Sequence, residues 1–86
     1  MTPGARLSAA IELLSRMDEA DARPADKILA DWARGNRYAG SKDRQAVAGM
    51  VYGVLRRRAQ LDWWLQRAGV SRIDVRGRLL VWLQLV

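Results

Sequence analysis

"SKDRQAVAGMVYGVLRRRA", residues 41 to 59, is the stretch on which the reading of the fold turns. Taking roughly 100° per residue from Val47, the side chains of Met50, Val51, Val54 and Leu55 fall within about 80° of it and make one broad apolar helix face. Gln45, Gly49, Tyr52 and Gly53 lie opposite. Each glycine weakens a helix by about 1 kcal/mol relative to alanine. Small residues one turn apart also let a second helix approach closely, so the spacing predicts a central helix over about 42–59 with neighbours on two sides. Ser41 is the expected N-cap, with Asp43 favourably placed in the first turn.

Working outward, Thr2 and Pro3 read as the N-cap and first position of an initial helix. Leu7, Ala10, Ile11, Leu14 and Met17 then recur at spacings of three and four. "DEADARP", 18 to 24, breaks the pattern as a polar loop. Pro24 opens a second helix with an Ala25, Ile28, Leu29 and Trp32 stripe and a stop at Gly35, and "GNRYAG", 35 to 40, reads as a loop. Leu61, Trp64, Leu65 and Ala68 mark a short fourth helix that Gly69 ends in the left-handed conformation.

Ser71 and Asp74 have capping-box spacing before "VRGRLLVWLQLV", the fifth helix. From Leu79 to Val86 the only polar side chain is Gln84, and no Gly, Lys or Pro ends the helix. That ending predicts a fragment cut inside a helix, with an exposed 79–86 run that favours self-association and is far too short to cross a bilayer. With no internal repeat and no strand alternation, the expectation is an all-α bundle of about five helices, a single domain over 1–86.

Composition bounds the chemistry. The 86 residues contain no Cys and no His, which excludes a disulfide framework, a thiolate nucleophile, an imidazole base and the usual zinc sites. No glycine-rich strand-to-helix turn exists for a nucleotide cofactor, and the nine carboxylates read as surface groups or caps. No cofactor, metal or catalytic residue is therefore expected in this stretch. The N-terminal segment has neither signal-peptide nor membrane-span character, which predicts a cytoplasmic location.

The formal net charge is +6 and is unevenly spread. Residues 1–43 hold seven basic and seven acidic groups, whereas residues 44–86 hold eight basic and two acidic ones. A polyanion partner follows from that excess. Arg56, Arg57 and Arg58 can be read as cations complementing a helix C-terminus, worth about 0.3–1 kcal/mol each. Three successive residues cannot share one helix face, however, and with Lys42 and Arg44 at the helix start and Arg67, Arg72, Arg76 and Arg78 beyond, contact with several phosphates is the sharper expectation. Trp32, Trp64 and Trp82 align with apolar runs and are expected in the core. Trp63 is displaced about 100° from Trp64 and is the candidate to stack on a base or meet an adjoining domain. Tyr38, beside Arg37 in the glycine-rich loop, is a weaker stacking candidate.

At "YAGSKDRQAVAGMVYGVLRRRAQLDWWLQRAG", 38 to 69, the chain resembles the N-terminal region of bacterial Sun/Fmu-type (RsmB-like) rRNA cytosine-C5 methyltransferases, a region similar to the antitermination factor NusB. The matching parts are the Arg6 to Leu14 helix with Ala9 and Ala10, "DR" at 43 and 44, "VYGVLR" at 51 to 56 and "LDWWL" at 61 to 65. The resemblance implies a NusB-like, all-α RNA-binding domain that continues for about two more helices. It also implies a parent chain whose separate S-adenosylmethionine domain carries out the C5 methylation of rRNA with two cysteines.

The first expectation is thus a domain that positions RNA for the catalytic domain of the same parent chain, through Lys42, Arg44, Arg56, Arg57, Arg58, Arg67 and Trp63. The alternatives are an antitermination-type regulator that binds RNA together with a protein through Trp63 or the glycine face, and a helical interdomain docking module whose arginines meet an acidic surface of the parent.

Overall fold

A computed structural model describes residues 1–19 and 21–86. Among them the chain is all-helical, with no strand: α1 (Pro3–Met17), α2 (Ala25–Gly35), α3 (Ser41–Arg56), α4 (Arg58–Arg67) and α5 (Val75–Leu85). Ala20, within the expected 18–24 loop, lies outside the described residues. The chain divides into two compact units, Met1–Val51 and Tyr52–Val86.

In the first unit α1 packs on α2. Thr2 caps α1 as its sequence predicts: its hydroxyl accepts from the Ala5 amide at 3.1 Å, with Pro3 at the first helical position. The buried face of α1 is made by Ala9, Ala10, Leu13 and Leu14, whereas Leu7, Ile11 and Met17 are half-buried. The predicted stripe is therefore rotated toward Leu13, because periodicity finds an apolar side but packing selects its centre. Ile28 and Trp32 of α2 are buried in keeping with their spacing, as are Val47, Met50 and Val51 of α3.

The start of α3 differs by one residue from the expected cap. Ser41 is already helical, and the Gly40 carbonyl accepts from the Arg44 amide at 3.0 Å. Asp43, at the third helical position, reaches back to accept from the Gly40 amide at 3.3 Å, the bond that the third residue of a capping box makes to the N-cap amide. The same carboxylate receives the Arg6 Nε at 2.8 Å and the N-terminal ammonium at 3.2 Å, tying α1 to the head of α3. The Arg6 guanidinium holds the Asp43 carboxyl below its ordinary value of 3.8; partial desolvation opposes this, and the ammonium and the Gly40 amide reinforce it.

The sign of the resulting pH dependence follows from that depression. Asp43 stabilises the fold wherever it is ionised in the unfolded chain, and the contribution fades as pH falls through 3.8 toward the lower folded value. Urea titrations should show a stability gap between the native chain and Asp43→Asn that is constant above about pH 5 and closes toward pH 2. A gap that stays constant across that window would remove Asp43 from the acid limb.

In the second unit α4 and α5 pack against each other. Asp62 pairs with Arg78 across this contact, and the Leu65 side chain lies where a Cβ on Gly77 would meet it. Gly69 ends α4 at φ +79°, and the Val70 and Gly69 amides reach back to the Leu65 and Gln66 carbonyls, both at 3.1 Å. This is a Schellman close, in which only glycine takes the left-handed position without strain. At α5, Asp74 and not Ser71 is the N-cap, accepting from the Gly77 amide at 2.8 Å. A Cβ added to Gly53 would collide with the Trp82 indole, so this glycine does serve close helix approach; Gly49 is exposed with open space beside it and does not.

Candidate nucleic-acid interface

The arginine triplet is not the tail of one helix. The predicted helix over 42–59 stops at Arg56; Arg57 departs from helical geometry at φ −114°, ψ 18°, and α4 begins at Arg58. The Arg57 amide tightens onto the Val54 carbonyl at 3.2 Å, while its own carbonyl accepts the Leu61 amide at 2.9 Å and starts the next helix. The triplet therefore spans a helix-to-helix junction, with all three side chains exposed. Arg56 still sits in the last turn of α3, where a cation meets the negative end of the dipole.

Charge within the second unit is strongly one-signed. Residues 52–86 hold seven arginines against Asp62 and Asp74. Asp74 is engaged in its cap, and Asp62 pairs with Arg78 at 2.7 Å. Arg56, Arg57, Arg72 and Arg76 have no carboxylate partner among the described residues and face solvent. Arg78, one of the cations weighed above for phosphate contact, is withdrawn from that role: it is 8 % exposed, the one buried charged side chain among the described residues. Its place in the apolar run of α5 puts it on the face that meets α4, and Asp62 supplies the countercharge that burial demands.

Trp63 is 49 % exposed and carries the Arg67 guanidinium over its ring, 4.9 Å from the centroid. Trp64 meets Trp63 edge to face, with centroids 4.9 Å apart. The i, i+4 spacing of Trp63 and Arg67 on a helix was the available signal for this pair. Trp64, expected in the core, is instead 42 % exposed, because Leu61 and Leu65 take the buried stripe of α4 and Trp64 lies about 100° from Leu65. Trp82 is half-buried, and Trp32 is buried as expected.

The remaining predicted cations belong to the first unit. Lys42 is exposed in the first turn of α3. Arg44 is half-buried and donates through Nη1 to the Ala39 carbonyl at 2.9 Å, so part of its donor set holds the preceding loop. Tyr38 is exposed on that loop and donates to Asn36 Oδ1 at 2.8 Å.

Among the described residues no group of three or more acidic, histidine or cysteine side chains could hold a metal ion, and no helix is long and apolar enough to cross a membrane. The arrangement suits a multivalent anion with an aromatic or planar component, since guanidinium groups bind phosphate through paired N–H donors and Trp63 offers a π face. Compared with known proteins, the chain matches no family model, no curated protein and no solved structure.

Proposed function

We propose that this chain is an RNA-recognition module that grips the phosphodiester backbone with Arg56 and Arg57 and stacks an unpaired base on Trp63 beside Arg67. The single observation that supports this reading most is that the second unit's two carboxylates are both engaged internally, while these arginines face solvent. Exposed arginines without carboxylate partners keep their charge available to a polyanion. The resemblance to the NusB-like region of rRNA cytosine-C5 methyltransferases adds a placement: the module holds rRNA while an S-adenosylmethionine-dependent domain of a longer chain methylates it.

Anisotropy of a labelled single-stranded RNA, titrated at several salt concentrations, tests the reading. Binding should weaken steeply with salt, and Arg56→Glu with Arg57→Glu should reduce the slope of log K against log[salt] by about 1.4, at about 0.7 per phosphate contact on single strands. Trp63→Ala should weaken binding by about 1–3 kcal/mol, the usual worth of one stacked base, without changing that slope. A salt-independent affinity, or one indifferent to all three substitutions, would contradict the proposal. Retained RNA affinity with lost binding to an acidic protein surface would favour the docking alternative instead.

A further inference from the structure

α5 is apolar around much of its circumference. Leu79 is buried, whereas Leu80, Leu83 and Leu85 all face outward, Leu80 being 51 % exposed. A helix apolar on more than one side is an interior helix that needs neighbours on more than one side; within its unit it packs on α4 and sets Trp82 against Gly53 of α3. A further side opens as a groove of about 370 Å³ lined by Trp64, Ala68, Leu80, Val81, Gln84 and Leu85. A groove lined by side chains of two packed helices has the shape that accepts a third helix, with apolar residues at i, i+3, i+4 and i+7 as anchors.

Charge selects the occupant. Outside the lining, Arg76 stands one turn before Leu80 on α5 and Arg67, next to Ala68, holds its guanidinium over Trp63, and neither has a carboxylate partner among the described residues. A second copy of the chain would bring one arginine-rich unit against another, and like charges across an interface are costly. We infer that the α4–α5 groove is a docking site for an amphipathic helix of a partner protein, one that places leucine-like anchors on Trp64 and Leu80 and carries acidic residues along its flanks. The groove adjoins the RNA reading at Arg67, whose guanidinium lies over Trp63, but Leu80 and Leu85 line the groove alone and are not among the residues assigned to RNA, so substitutions there test docking by itself.

Two labelled synthetic helical peptides of about 18 residues, five turns, test it against the full chain by anisotropy. Both carry leucines at i, i+3, i+4 and i+7; one has glutamates and the other lysines on its flanks. The glutamate peptide should bind at least about tenfold tighter than the lysine peptide, the factor that about 1.4 kcal/mol represents. Leu80→Asp and Leu85→Asp, both at exposed positions and each checked for native helicity, should each weaken it by a comparable factor, and Arg76→Glu should narrow the gap between the peptides. Equal binding of the two peptides, no binding of either, or full affinity in both aspartate variants would overturn the proposal. So would sedimentation showing a dimer that Leu80→Asp dissociates, since the occupant would then be a second copy.

Discussion

Leu61→Ala should lower stability by about 2–5 kcal/mol, the range for a leucine deleted from a packed core. Leu61 is completely buried, and Leu65 and Leu79 of the same unit are buried with it. It is also the residue whose amide closes the first turn of α4 onto Arg57, so the side chain anchors the turn by which the chain re-enters helix after the junction. For a chain of this size, whose total stability falls in the range of about 5–15 kcal/mol, such a loss is a large share. Leu61→Met keeps the volume and should cost less than about 1.5 kcal/mol. Urea unfolding followed by tryptophan fluorescence compares the two; an alanine variant within about 1 kcal/mol of the native chain would show that the site collapses around the gap.

The second large effect is expected at Asp62 and Arg78. Arg78 lies in a helix otherwise rich in leucine and is nearly fully buried, and Asp62 is its partner at 2.7 Å. Breaking a fully buried pair from one side costs about 3–5 kcal/mol; because the Asp62 carboxylate keeps some access to water, about 2–3 kcal/mol is the expectation for Asp62→Ala. The cost arises because a guanidinium is left buried without its countercharge, not because the pair is strongly stabilising in itself. It follows that Asp62→Leu with Arg78→Met should recover most of the loss, since apolar residues of similar volume often replace a buried pair without penalty. Thermal unfolding of the single and double variants decides the matter. A double variant no better than the single one would mean that the charges, and not their desolvation, set the energetics.

These two sites also separate what local sequence can reveal from what it cannot. The helix at Leu61 was legible from apolar spacing, but its beginning was not. Apolar spacing predicts a third helix to about residue 59 and a fourth marked from Leu61, so the junction was expected a few residues later than Arg57, where it falls. Arg78 had the appearance of one more exposed cation, because a helical pattern does not reveal that Asp62, sixteen residues earlier, faces it across the α4–α5 contact. Within the candidate site, the exposure of Arg56, Arg57 and Trp63 matches what charge excess and angular offset predicted. The lost burial of Trp64 and the groove it lines had no signal of their own.

The amino-acid sequence by itself determined the helical class, the Thr2 and Gly69 caps, the apolar face of α3 and the concentration of positive charge after residue 43. Those features depend on backbone hydrogen bonding, side-chain periodicity and composition, all of which act over a few residues or none. Only the tertiary structure decided where α3 gives way to α4, which tryptophan is covered, which arginine is drawn inward and which apolar side of α5 is left open. Each of those outcomes depends on what a distant segment presents across a helix contact, and a helix carries no record of its neighbour in its own spacing.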